Sequence, residues 1–335
     1  MTKHEPWNRC RFVPNSQKGH YESYFLRANH PERPRAFWIR YTIFSPEGRP
    51  GNAVGELWAI YFDGETKRIT AVKEVLPVNQ CGFPDGELNL LIGSATLTED
   101  FLQGKANSRG NSMQWALRYE GGQAPILLLP QSFYERAFPK AKALVGRPNV
   151  QFHGALTVNG ETIPIDRWQG SQNHNWGSKH TDSYAWGQVA GFDNAPDAFL
   201  ECSTARLRIG PIWTPAFTLL VLRTDEGEIA LNNIAQAVRA KGRFNLHPDC
   251  YDWHIESRTA DVRVSIHIHA KPSSFVGLKY DNPPGGVKTC LNTKLAACKL
   301  TLERAGRASR TLITRDRAAF EILTEKTNHQ IAIVA

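Results

Sequence analysis

Between Tyr21 and Leu76 the chain passes through four strand-length stretches, 21–28, 35–44, 55–62 and 69–76, rich in aromatic and branched residues and punctuated by turn formers such as Pro46-Glu47-Gly48 and Asp63-Gly64. Stretches this short, with a tight turn after each, lack the βαβ alternation of a parallel sheet and must pair as antiparallel hairpins. The same pattern predicts strands at 88–97, 112–119, 126–128 and 150–158. It resumes at 184–192, 198–207, 216–223, 229–240, 249–258, 262–270, 299–304, 311–314 and 329–334. Asn159-Gly160, between Val158 and Glu161, is a strong two-residue hairpin signal, because both residue types accept left-handed backbone. Residues before about Tyr21 read as an irregular arm, 279–286 as a loop, 289–299 as a connection to the last strands, and 317–324 as a short helix.

A chain of 335 residues, 41% of them hydrophobic, can bury a sizeable core as two domains or one large β unit. A weak internal echo favours two related halves. Glu22, Phe37-Trp38 and Ala53-Val54-Gly55-Glu56 recur in order and spacing as Asn173-His174-Asn175-Trp176, Tyr184-Ala185-Trp186 and Ala198-Phe199-Leu200-Glu201. The echo sets a boundary near residue 165, giving domains 1–165 and 166–335.

The formal charge is +8, but the 40 Lys and Arg are interspersed with 32 Asp and Glu. The densest basic stretch holds Arg304, Arg307, Arg310, Arg315 and Arg317; it reads as a solvated hairpin, and no nucleic-acid motif accompanies it. Nucleic acid is not an expected partner. The longest apolar run, 212–222, is broken by Thr214, Pro215 and Thr218 and is too short to span a bilayer. The N-terminus shows no signal peptide, and the six cysteines are scattered as in a reducing cytoplasm. An apolar substrate would leave room for peripheral membrane contact. Without a Gly-x-Gly-x-x-Gly, a Walker loop, a Gly-x-Ser-x-Gly elbow or a His-Glu-x-x-His, no cofactor is expected.

The chemistry concentrates in 167–188. Asn173 and Asn175 fall on one face of an extended strand and His174 and Trp176 on the other, followed by Tyr184, Trp186 and Gln188. Polar groups at strand spacing, outside a hydrophobic run, usually face a cavity. Glu22, Glu56 and Glu201 each sit in apolar or aromatic strands, where burial raises a carboxyl pKa and suits it to general-acid work. Each could equally be a structural carboxylate paired with an arginine such as Arg40, Arg206 or Arg208. His267 and His269 share a strand face opposite Val264, Ile266 and Ile268. That pattern places them toward solvent, with a metal site as the lesser reading.

Asn173-His174-Asn175-Trp176-Gly177, Tyr184-Ala185-Trp186-Gly187 and the segment from Tyr280-Asp281-Asn282-Pro283 to Cys290-Leu291-Asn292 together resemble the two-domain lipocalin-like superfamily. This superfamily holds carotenoid 1,2-hydratases, AttH-type proteins, tocopherol-cyclase-like proteins and β-barrel Diels–Alderases. The resemblance implies an all-β fold of two consecutive antiparallel barrels, a ligand cavity near their interface, and cofactor-free chemistry. Members often carry an Asp-His pair where this chain has Asn173-His174, and an amide cannot donate an acidic proton. The proton then comes from Glu22, Glu56 or Glu201, or the reaction is pericyclic.

The expected function is cyclisation, isomerisation or hydration of an apolar isoprenoid, polyene or polyketide-like molecule. His174 with Glu22, Glu56 or Glu201 would handle protons. Asn173, Asn175, Tyr184 and Gln188 would orient polar substrate groups, and Trp38, Trp176 and Trp186 would wall the cavity. The alternative is a non-catalytic carrier of lipid-like molecules, in which the same cavity only shields its ligand.

Overall fold

The computed structural model describes residues 6–86, 88–325, 329 and 331–335. Among these, two large antiparallel sheets form in sequence, the first from His20–Asn29 to Glu161–Gly177 and the second from Ser183–Phe192 to Arg310–Thr324. The first places Arg68–Pro77, Val54–Asp63, Arg35–Ser45 and His20–Asn29 in meander order, then Glu161–Gly177 and Ala141–Val158. It curls until its edges meet, where Lys73 N donates to Ser108 Oγ at 3.0 Å and Asn107 N to Glu74 Oε2 at 3.2 Å. The second closes around Gly242, whose Cβ, if present, would collide with the hydroxyls of Thr204 and Thr218. Gly242→Ala should therefore open this seam and cost about 1–3 kcal/mol, measured as a lower urea midpoint at unchanged slope.

Asn159 (φ 50) and Gly160 (φ 88) turn the long hairpin as expected, pairing Val158 with Glu161. Residue 165 falls inside the Glu161–Gly177 strand, and the chain crosses to the second sheet at 178–182.

Each sheet wraps its own core, one built on Tyr24, Leu26, Phe37, Trp115 and Phe152, the other on Val189, Leu200, Trp253, Ile268 and Phe320. A third cluster, including Phe25, Trp38, Trp58, Trp186, Leu278, Tyr280 and Leu323, joins the two sheets back to back. Strands at this junction are buried on both faces. His20–Asn29 is buried at every position after the first, whereas an outer strand such as Asn111–Gly121 alternates buried and exposed. A polar residue in a doubly buried strand must therefore find a partner or a ligand.

Three assignments from the sequence are corrected. Residues 317–324 are the end of the Arg310–Thr324 strand, because Ala318, Ala319 and Phe320 are enclosed on both faces, which overrides their helix propensity. The predicted strand 229–240 instead breaks into Gly227–Leu231 and a helix, Ile234–Arg239, whose N-cap Asn233 accepts from Gln236 N at 2.9 Å. The expected connection 289–299 is part of the Val287–Arg304 strand. Of the arm and the last predicted strand, residues 1–5 and Gln330 lie outside the described residues, and Ile333 bridges Gly277. No described helix is long and apolar enough to cross a membrane.

Candidate functional site

Where the sheets meet, a cavity of about 460 Å³ opens between them, within the size range of small-molecule sites. Phe25, Trp38 and Arg40 line it from the first sheet, Tyr184, Trp186, Glu201 and Glu321 from the second, with Tyr280 and the helix residues Ile234 and Ala237 at the margin. Register explains the first wall. Phe25 pairs with Arg40 on one side and Asn173 on the other, so the three form a row across one face of the sheet.

Glu201 is fixed from both sides. Trp186 Nε1 donates to Oε1 at 2.7 Å and Gln188 Nε2 to Oε2 at 2.9 Å. Gln188 Nε2 also donates to Asn173 Oδ1 at 2.7 Å, and Gln188 Oε1 accepts from Ser171 Oγ at 2.6 Å. This network crosses from one sheet to the other. Burial pushes the Glu201 carboxyl up to about 8 against those hydrogen bonds and the charge of Arg27. It is therefore a neutral acid at pH 7, and each oxygen keeps a free hydrogen-bonding site.

A second network sits beneath the aromatic wall. Lys294, fully buried, donates to Glu321 Oε1 at 2.8 Å and to Asn292 Oδ1 at 2.6 Å. Its ammonium lies 5.7 Å from the Trp38 ring centre and 5.5 Å from that of Trp186, so the two indoles share one cation. Trp38 Nε1, Arg40 Nε and Asn175 Oδ1 are buried at the wall without hydrogen-bond partners.

The raised pKa expected of all three carboxylates is reversed at Glu22. Burial opposes ionisation, but hydrogen bonds from His174 Nε2 at 2.9 Å and His20 Nε2 at 3.1 Å outweigh it and hold the carboxyl well below the usual range. Arg11 N adds a bond of 2.9 Å to each oxygen. Glu22 shares the inward face of its strand with Tyr24 and Leu26 and does not reach the cavity. Glu56 is likewise absent from the wall, bound by Lys73 Nζ at 2.9 Å and Trp58 Nε1 at 3.1 Å.

His174 touches the wall, yet its ring stacks on Tyr24 at 3.9 Å and lies 4.5 Å from Trp176. Burial lowers it to about 4 despite Glu22, so it is a neutral imidazole donating through Nε2. Trp176 packs away from the cavity against Tyr134 and Leu144, under the guanidinium of Arg11 at 3.7 Å. Gln188 stands behind the wall as a positioning residue. His267 and His269 stack with His254 on the outside of the second barrel, and among the described residues no group of three or more His, Cys, Asp or Glu is arranged to hold a metal ion.

Sequence reasoning thus found Glu201, Asn173, Asn175, Tyr184, Trp186 and Trp38 at the cavity. It missed the site roles of Arg40, Tyr280, Glu321 and Lys294. Arg40 had a signal, a cation in the aromatic run Phe37-Trp38-Ile39-Arg40-Tyr41. The others are assembled by contacts across more than 200 residues, such as Arg40 over Tyr280.

Three solved structures match over almost the whole chain. An AttH-type protein of Nitrosomonas europaea aligns with a TM-score of 0.57 at 12% identity, covering 92% of each chain. Kievitone hydratase from Nectria haematococca gives 0.56 at 12% identity over 97% of this chain and 96% of its own. At these identities the likeness is one of fold. CghA, solved with Sch210972, shares the fold at a TM-score of 0.55 and 11% identity, over 96% of this chain and 95% of its own. By sequence, uncharacterized proteins from two Mycobacterium tuberculosis strains, CDC 1551 / Oshkosh and ATCC 25618 / H37Rv, are 25% identical over 200 residues. That match spans 58% of this chain and 57% of theirs. No family model matches the chain.

Proposed function

We propose that the protein is a cofactor-free enzyme that cyclises, isomerises or hydrates an apolar isoprenoid, polyene or polyketide-like molecule held between the sheets. One observation carries this reading: Glu201, a carboxyl pushed up to about 8, stands at the wall of an aromatic cavity with both oxygens oriented by fixed donors. A neutral carboxylic acid so placed can protonate an alkene or enol, and the indoles of Trp38 and Trp186 stabilise the positive charge that follows. Asn173 and Gln188 position the acid, and the closed apolar walls of Phe25 and Tyr184 hold a flexible substrate in its reactive shape. His174 and Glu22, in this reading, brace the strand that carries Asn173 and do not meet the substrate. The shared fold of kievitone hydratase, by its name an enzyme, and of CghA, solved with Sch210972, supports this reading.

The test is incubation of the protein with isoprenoid, polyene and polyketide panels, followed by mass spectrometry. Products of unchanged mass or of mass increased by one water, formed by the wild type and not by Glu201→Gln, are the expected result. Tight binding of the same compounds with no conversion by the wild type would make the protein a carrier.

A further inference from the structure

The cavity also holds a cation without a counter-ion. Arg40 is only 4% exposed, donates through one Nη to Ser23 Oγ at 2.7 Å, and lies with its guanidinium 4.5 Å from the Tyr280 ring centre. Its Nε–H has no acceptor, and no carboxylate among the described residues forms an ion pair with it. The nearby acids are already engaged, Glu56 by Lys73 at 2.9 Å and Glu321 by Lys294 at 2.8 Å. His180, pushed down to about 3 by burial and by the charge of Arg40, offers a neutral ring stacked on Tyr21. The indole Nε1–H of Trp38, two residues along the same strand face, is a second orphaned donor.

A buried guanidinium is stable only when paired, and the face of Tyr280 compensates one side of its charge alone. We infer that this corner is an anion subsite. The ligand carries an acidic oxygen head, a carboxylate or the enolate of a β-dicarbonyl, that accepts from Arg40 and from Trp38 Nε1. The row Arg40, Phe25, Asn173 then sets the direction of the body, since Asn173 is linked through Gln188 to Glu201. Two strand spacings, about 10 Å, separate the two ends of this row. The substrate is therefore amphipathic, with its acidic head about 10 Å along the row from Asn173 and its body directed toward the Glu201 wall. This specifies the substrate class of the proposed enzyme and rests on that reading for the apolar body.

Acid and alcohol pairs with identical tails, retinoic acid with retinol and farnesoic acid with farnesol, test it by quenching of tryptophan fluorescence. The wild type should bind each acid about tenfold to a hundredfold more tightly than its alcohol. Arg40→Gln should abolish the preference, and Arg40→Lys should keep part of it. Trp38→Phe, which deletes one donor and keeps a ring, should lower the preference about fivefold and keeps the test valid should Arg40→Gln not fold. Equal binding of acid and alcohol by the wild type, or a preference that survives Arg40→Gln, overturns the subsite alone. Binding of neither overturns the subsite together with the apolar-cavity reading.

Discussion

Turnover should be constant from mildly acidic pH to neutrality and fall about tenfold per unit once the pH exceeds the value near 8 to which burial raises Glu201. Only the protonated carboxyl can donate, so the active fraction follows its titration. The charged groups acting on it are Arg27, which favours ionisation, and Glu321, which opposes it. Arg27 is itself lowered by burial to about 9, and its loss of charge further out would favour the protonated acid and flatten the alkaline limb there. In Glu201→Gln the amide can still accept from Trp186 Nε1, so the cavity keeps its shape while the acid is gone. Loss of a general acid is worth about 10²–10⁴ in kcat, and KM should change little. A rate measured on any converted compound from pH 5 to 10 decides the matter, and an unchanged profile in the variant would remove Glu201 from the chemistry.

The same titration leaves a mark on stability that needs no substrate. The folded-state value near 8 exceeds the ordinary 4.5, so between these the folded protein holds a proton that the unfolded chain has lost. The stabilisation is complete below 4.5 and disappears as the pH rises through 8, at about 1.4 kcal/mol per unit. His174 works in the opposite sense. Lowered from 6.5 to about 4, it withdraws stability as the pH falls below 6.5. Between 6.5 and 8 only Glu201 of the two contributes, and the wild type should lose about 2 kcal/mol there that Glu201→Gln does not.

How much of this was legible in the sequence follows from what strand periodicity encodes. Turn pairs such as Asp63-Gly64 and Asn159-Gly160 revealed antiparallel hairpins because their backbone demands are local. Asn173 and Asn175 stood out because they lie at strand spacing in a polar stretch outside any hydrophobic run, and Glu201 because it interrupts an apolar one. Those same runs hid which carboxylate faces the ligand. Where a strand is buried twice, the inward face of Glu22, Tyr24 and Leu26 reads no differently from the outward face of Ser23, Phe25 and Arg27. The helix at Ile234–Arg239 escaped because six residues hold too few periods to distinguish it from a strand, and its Asn233 cap was its one local signal.

Replacing Glu22 should be the most damaging single change to stability. Its ionised carboxylate satisfies Arg11 N, His20 and His174, and Glu22→Ala would take the acceptor from a fully buried His174 and from two half-buried donors at a cost of about 3–5 kcal/mol. His174→Ala should cost about 3 kcal/mol, since it removes one donor to the carboxylate and leaves a void between Tyr24 and Trp176. The double variant should lose less than the sum by about 1 kcal/mol or more, because each single change already breaks their shared bond. The Glu22 contribution is present above 4.5 and lost as the pH falls, so the wild type should unfold more readily in acid and Glu22→Ala should not show that part of the trend. Urea denaturation of the four proteins supplies the energies, and kcat per folded molecule supplies the second readout. With the fold intact, His174→Ala should keep kcat within about threefold, as its ring is committed to Glu22 inside the first barrel. A loss of a hundredfold or more at unchanged stability would instead make His174, through its unpartnered Nδ1, a base in the reaction.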